Sequence, residues 1–304
     1  MRDTTDIVVA PPVAEALTAR RPVVALETTL VTHGFPHPEG LEVAAALEAA
    51  VAAGGAQPAT IGIVDGRIRV GLGPSELERL ATSGAAKLNL SNLAAHLAPG
   101  SCGSTTVAAT LLVARRAGIR VFATGGIGGV HRNAAETGDV SADLTALARF
   151  PVAVVCAGAK AVLDLPRTRE LLETLGVPVF GFATDEFPAF YSRDSGLAVD
   201  RRFDDIGLLA VAVHAHLALN VGTGVIVANP VEREHELPRA VSEPAIERAL
   251  ADATRDGIRG RDVTPYLLER LRALTEGASV FSNRALLVSN ATLAARLAVA
   301  LPHD

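Results

Sequence analysis

Lysine is nearly missing from this sequence: of 28 lysine and arginine side chains, only Lys87 and Lys160 are lysine. Arginine serves as well on a solvated surface but keeps its proton, whereas an ammonium on a flexible stem can be desolvated, neutralised and used as a nucleophile. A compositional drift toward arginine that spared two positions by chance is one reading. Chemistry that needs an amine at those two positions is the other. Both lysines lie among small residues that leave room for a ligand: Ala157, Gly158, Ala159 and Ala161 surround Lys160, and Gly84, Ala85 and Ala86 precede Lys87.

Other scarcities narrow the class. The 2 cysteines, Cys102 and Cys156, lack metal-type spacing and suit reduced thiols of a cytoplasmic protein better than a disulfide. A net charge of -5 with no basic patch excludes a nucleic-acid polymer as partner and leaves a small anionic substrate compatible. The N-terminal stretch lacks the apolar core of a signal peptide, and no apolar run reaches spanning length, so no membrane partner is expected. No repeat, low-complexity tract or long linker divides the chain, which predicts one domain over residues 1–304. There is no G-x-S-x-G elbow, no dinucleotide glycine spacing and no GK[ST] loop.

What is present alternates. Short apolar strand-type runs at 23–26, 119–123, 153–156, 177–182 and 224–228 are separated by helical stretches, one of them running from Pro38 and Glu39 to the Gly54-Gly55 stop. Asp65-Gly66 joins two further strands as a hairpin, and Ser75 with Glu78 reads as a capping box for the helix leading to Lys87. After Asn229-Pro230 the pattern is mainly helical, over 266–274 and 285–301. Such alternation predicts an α/β fold: a three-layer α-β-α sandwich around a largely parallel sheet, with a small hairpin and a helical C-terminal segment.

Four constellations carry candidate chemistry. Glu27 ends the first apolar run and leads into the Gly/Pro/His loop THGFPHPEG, a common way for α/β enzymes to present a catalytic group; His33 and His37 read there as loop donors. The run from Thr124 to Arg132, TGGIGGVHR, follows a strand and reads as an anion nest with His131 and Arg132 as added donors, or as a tight turn. Glu136, Asp139 and Asp143 suit either a hard divalent cation or helix-start acids. His214 and His216 point apart on a helix and share no metal.

Taken together, ALETTLVTHGFPHPEG, PATIGIVDGRIRVGL, GSTTVAATLLVARRAGIRVFATGGIGGVHR, TGDVSADL, VVCAGAKAVLDLP, GVPVFGF and VIVANPV resemble, in this order, the pseudouridine-5′-phosphate glycosidases, also called the indigoidine synthase A-like family. The likeness runs from about residue 7 to 300. It implies reversible cleavage of the C–C glycosidic bond of pseudouridine 5′-phosphate to uracil and ribose 5-phosphate, with a divalent metal, typically Mn2+, in a homotrimer. It further implies Lys160 as nucleophile, Glu27 as proton donor, Lys87 and Val107 as substrate contacts, and Asp139 as the metal residue. Ser141, Ala142 and Asp143 become a substrate-binding turn and Asn290 the uracil-side asparagine, while the glycine loop with Thr124 and His131, read above as an anion nest, would hold the 5′-phosphate. The segment AAKLNLSNL departs from the arginine-rich version that the resemblance leads one to expect after the lysine. Two rival classes are a Schiff-base phosphosugar lyase, which would break a bond within the sugar, and a non-catalytic nucleotide-binding protein, against which the isolated lysine and Glu27 argue.

Overall fold

The computed structural model describes residues 7–258 and 263–302. The first six residues, on which part of the leader-peptide expectation rests, lie outside the described residues. The first half runs β1 (Ile7–Val9), α1 (Pro11–Thr18), β2 (Val23–Leu26), a π-helical turn (Leu30–Gly34), α2 (Glu39–Ala53), β3 (Gln57–Val64), β4 (Arg67–Val70), α3 (Pro74–Thr82), β5 (Ala86–Leu88), β6 (Gly103–Thr105), α4 (Val107–Ala117), β7 (Val121–Ala123), α5 (Ala134–Thr137) and α6 (Ala142–Leu147). The second runs β8 (Ala153–Cys156), α7 (Leu165–Thr174), β9 (Val179–Phe182), β10 (Arg201–Phe203), α8 (Ile206–Ala218), β11 (Val225–Ala228), α9 (Arg239–Arg255), α10 (Val263–Leu274) and α11 (Ala278–Ala300).

The strands form one sheet in the order β1-β4-β3-β2-β7-β8-β11-β9-β10, with β6 on β3 and β5 on β6. Pairing is parallel except where β3 meets β4 and β6. Strands buried on both faces should be continuous apolar runs. VVAL in β2, AVVC in β8 and VIVA in β11 are such runs, and every residue in them is buried. On one side α11 packs along α2 and α8 and covers β2, β7 and β8; on the other, α4 packs on α6 and covers β2, β3 and β4. The α/β sandwich is as expected.

Local chemistry sets the boundaries. Helix α4 starts where the Thr106 hydroxyl accepts the Ala109 N–H, and stops at Gly118 in the left-handed conformation. The capping box expected at Ser75 and Glu78 sits elsewhere: Pro74 opens α3, the cap is Gly73, and its N–H donates to Glu76 Oε2 at 2.9 Å. Proline at the first helical position fixes that register. The Asp65-Gly66 hairpin belongs to the main sheet, because β3 also pairs with β2 and so carries β4 and β1 as the sheet's continuation. Likewise α11 is one of the layers of the sandwich. It starts at Ala278, seven residues before the periodicity at 285–301 becomes clear.

Candidate active site

Three neighbouring parallel strands end side by side. Leu26 of β2 lies in register with Ala123 of β7, and Ala123 with Val155 of β8. The chain after each strand therefore delivers Glu27, Thr124 and the Ala157–Lys160 turn to one edge. From β2 the chain passes to β3 on one side, and from β7 it passes to β8 on the other. A crevice at the carboxyl ends of strands, where the direction of winding reverses, is where α/β sheets bind ligands. A cleft there is lined by Glu27, Lys87, Thr124, Lys160, His33 and Asn283, among others.

Both lysines face that cleft. Lys87 arrives on β5, whose pairing with β6 sets it beside Ser104, instead of following directly from a helix. Lys160 sits in a backbone turn held at both ends: its N–H donates to Ile127 O at 3.1 Å and its carbonyl accepts the Leu163 N–H at 3.0 Å. Two residues earlier Gly158 has φ +79, and a Cβ there would meet Pro188 O at 2.0 Å. Only glycine fits that approach.

The Glu27 carboxyl is shifted toward its neutral form. Burial pushes its carboxyl above the usual range; Lys160, the Thr124 hydrogen bond and Lys87 pull it back, while Asp143 adds to the rise. The Thr124 hydroxyl donates to Glu27 Oε1 at 2.5 Å. The threonines after Glu27 fix the loop beneath it: Thr28 Oγ1 donates to Ile61 O at 2.8 Å, and Thr29 Oγ1 donates to Thr105 O at 2.8 Å.

The glycine loop is less open than its sequence suggests. The Ile127 N–H goes to Gly158 O, the Gly128 N–H to Asp143 Oδ2, the Val130 N–H to Thr168 Oγ1 and the His131 N–H to Asp139 O. Arg132 is turned away and bonds Glu243 Oε1 at 2.6 Å and Ala161 O at 3.1 Å. At the end that lines the cleft the Thr124 N–H is also taken, by Val155 O at 3.1 Å, so the nest expected over Thr124 to Arg132 is reduced there to the Gly125 and Gly126 N–H groups.

Asp143 is buried, and its two carboxylate oxygens join two elements: Oδ2 accepts the Gly128 N–H at 2.7 Å and Oδ1 the Ala108 N–H at 2.9 Å, at the N-terminus of α4. Val107, the first residue of that helix, is buried beside it. Ser141 caps α6, with Oγ accepting the Asp143 N–H, and Ala142 follows as the first helical residue. His131 Nδ1 lies 3.8 Å from Asp139 Oδ2, and burial pushes the His131 pKa down against the pull of Asp139. Glu136 is exposed on α5. Asp139 offers a half-exposed hard oxygen next to an imidazole, a donor set that fits a divalent cation completing its shell with water and substrate oxygens. Among the described residues the cluster of three ligand-type side chains is elsewhere, at Glu232, Glu234 and His235.

Asn290 is fully buried and does not line the cleft. Its Nδ2 donates to Thr124 O at 2.8 Å and Gly125 O at 3.3 Å, while its Oδ1 accepts from Asn229 Nδ2 at 2.9 Å. The asparagine that reaches the cleft is Asn283, two helical turns earlier on the same face of α11. That i, i+7 repeat was the signal in the sequence.

The remaining candidates are spread out. His37 Nε2 is 3.9 Å from Glu78 Oε1, and His216 Nε2 lies 3.1 Å from both Thr223 Oγ1 and Gly224 O, tying α8 to the start of β11. Both cysteines are free thiols, and burial pushes Cys156 up to about 12. No described helix is long and apolar enough to cross a membrane.

Comparison with known proteins agrees over nearly the whole chain. The family model for indigoidine synthase A like protein matches residues 12–300. A pseudouridine-5′-phosphate glycosidase of Paracoccus denitrificans is 53% identical, covering 97% of this chain and 98% of its own. One from Rhodospirillum centenum is 57% identical, covering 95% and 91%. Among solved structures, a prealnumycin C-glycosynthase in complex with ribulose 5-phosphate superposes with a TM-score of 0.89 at 42% identity, covering 97% of this chain and 96% of its own. With Glu27 and the only two lysines converging on one strand-end cleft inside a match of that extent, the chain belongs to the indigoidine synthase A like family.

Proposed function

We propose that this protein cleaves the C–C glycosidic bond of pseudouridine 5′-phosphate, releasing uracil and ribose 5-phosphate, with Lys160 as nucleophile and Glu27 as acid. The observation that carries the reading is the pairing of a cleft lysine with a carboxyl that burial keeps protonated to higher pH. A carbon leaving group has no heteroatom to protonate, so two-carboxylate hydrolysis does not apply. An amine supplies the alternative.

Glu27 gives its proton to the ring oxygen O4′ as the C1′–O4′ bond breaks, and the neutral Lys160 amine adds at C1′. The amine then loses a proton and uracil C5 gains one. The nitrogen lone pair expels uracil as the C1′–C5 bond breaks, leaving an imine, and water returns ribose 5-phosphate and the free lysine. Lys87, Val107, Thr124, His131 and the turn Ser141, Ala142 and Asp143 would hold ribose and phosphate, and the Asn283 amide would read the base. Asn290 acts behind them by fixing Thr124. Asp139 would hold Mn2+ with His131 beside it; the bound ion would offset the charge of substrate oxygens.

Incubation with pseudouridine 5′-phosphate and manganese tests the reading: uracil appears, while uridine 5′-phosphate and unphosphorylated pseudouridine react poorly. Rapid release of uracil from uridine 5′-phosphate with none from pseudouridine 5′-phosphate would refute it. Synthesis in the reverse sense is a second reading, favoured by the likeness to a C-glycosynthase. Incubation of uracil with ribose 5-phosphate measures it directly. The family likeness also carries an expectation of a homotrimer, so sedimentation should return about three times 31.4 kDa.

A further inference from the structure

Phe190 and Tyr191 are neighbours in the chain but stand in two different cavities. Phe190 lines the cleft together with Lys160, and Tyr191 lines the hollow beside it. The backbone bends to achieve this. Phe190 has φ +64, a left-handed conformation that is costly for a bulky side chain and persists only where the surrounding structure over-determines it. Its N–H donates to Ala157 O at 3.0 Å, and the Tyr191 carbonyl accepts the Leu237 N–H at 3.0 Å, so the turn is held on both sides. The two rings meet edge to face, with centroids 4.8 Å apart and planes at 81°.

Tyr191 is only 3% exposed, yet its hydroxyl has no hydrogen-bond partner among the described residues. A buried tyrosine ordinarily finds one. Burial alone pushes the phenol up, so the group remains an O–H donor. The Asn283 amide likewise has no partner among the described residues, and it lines both cavities. The cleft encloses about 60 Å³ and the hollow about 220 Å³. At roughly 15 Å³ for each water-sized group, the cleft cannot hold a sugar and a base together.

We infer that the hollow is the chamber for the base and that the Tyr191 hydroxyl donates to O2 of the pyrimidine, as a specificity-determining residue; this rests on the reading of the substrate as pseudouridine 5′-phosphate. The uracil edge presents a carbonyl, N3–H and a second carbonyl in turn. An amide offers an acceptor and a donor side by side, which match N3–H and one carbonyl, and a hydroxyl offers the donor that remains. The point of attachment decides which carbonyl falls to which group. Ribose is bonded to C5, C4 is next to C5, and C2 lies across the ring. Lys160 acts in the cleft, whereas Tyr191 lines the hollow and not the cleft, so O2 is the oxygen turned toward Tyr191. Asn283, which lines both, is left with O4 and N3–H. A base without a good acceptor at C2 is penalised because it leaves the buried hydroxyl unpaired.

The test compares kcat/KM for pseudouridine 5′-phosphate and its 2-thio and 4-thio analogues in the parent and Tyr191→Phe enzymes. Sulfur replaces the carbonyl oxygen with a weak acceptor. The parent should lose about tenfold on the 2-thio analogue. Tyr191→Phe, which removes the hydroxyl and keeps the ring, should lose about tenfold on the unmodified substrate and then show no further loss with the 2-thio analogue. The 4-thio penalty should be the same in both enzymes. Because the hydroxyl is unpaired within the protein, the variant should also unfold at no lower denaturant concentration than the parent. An undiminished parent rate on the 2-thio analogue, a 2-thio penalty that persists in Tyr191→Phe, a 4-thio penalty that vanishes there, or a less stable variant would overturn the assignment of Tyr191. No cleavage of pseudouridine 5′-phosphate by the parent would instead overturn the proposed reaction, and this inference with it.

Discussion

Asn290 reaches Glu27 through one intermediary: its Nδ2 donates to the Thr124 carbonyl at 2.8 Å, and the Thr124 hydroxyl donates to Glu27 Oε1. A buried amide on α11 thereby sets the acid at the end of β2. Asn290→Ala should leave the Thr124 and Gly125 carbonyls and the Asn229 amide short of partners, at a cost of about 3 kcal/mol in stability. Activity should fall as well. Denaturant unfolding alongside kcat measures both, and a variant as stable and active as the parent would remove the positioning role.

Opposite pH shifts should follow from the two polar neighbours of Glu27. The Thr124 hydroxyl bonds the charged form and lowers the Glu27 pKa, whereas Asp143 raises it. Thr124→Val should move the alkaline limb of kcat/KM to higher pH, and Asp143→Asn should move it lower. The second variant also costs about 1–3 kcal/mol, since an amide cannot accept both the Gly128 and Ala108 N–H groups. Limbs that move together would contradict the account.

Stability should carry the same signature. A carboxyl whose folded pKa lies above its unfolded value contributes stability that is present below the unfolded value and lost as pH rises through the folded one. Glu27→Gln escapes that loss. It should be inactive yet gain stability over the parent at pH 8 relative to pH 4, measured by urea unfolding at both. A parent and variant whose difference does not change with pH would show that Glu27 is not perturbed.

Asp139→Ala should cost less than about 1 kcal/mol of stability, because a half-exposed loop carboxylate contributes little to a core. It should nevertheless raise the manganese concentration needed for activity, and chelation of the parent should mimic it. An unchanged manganese titration would leave Asp139 as a partner of His131 alone.

The sheet was legible where burial forces a pattern. Runs such as VVAL at 23–26 and AVVC at 153–156 are apolar because both faces are covered, and the Asp65-Gly66 turn named its hairpin. The short strands β1, β5, β6 and β10 escaped, since three residues give no period and their pairing comes from distant partners: β1 from β4, β6 from β3, β10 from β9. In the site, Glu27, Lys87 and Lys160 were legible from residue type and family likeness, and the structure brings them to one cleft. Asn283 was not, because choosing between two asparagines on one face of α11 depends on where the helix starts and how it crosses the strand ends. The closure of the glycine loop by Asp143 and Thr168 also depends on tertiary contacts that no local spacing encodes.

The central claim is that Lys160 attacks and Lys87 does not. Borohydride added to the enzyme with ribose 5-phosphate should reduce the imine and fix a sugar adduct on the peptide containing Lys160, leaving the Lys87 peptide unmodified. Lys160→Arg, which keeps the charge but cannot offer a neutral amine, should abolish both adduct and turnover, while Lys87→Arg should slow turnover and keep the adduct. An adduct on Lys87, or an active Lys160→Arg enzyme, would contradict the account.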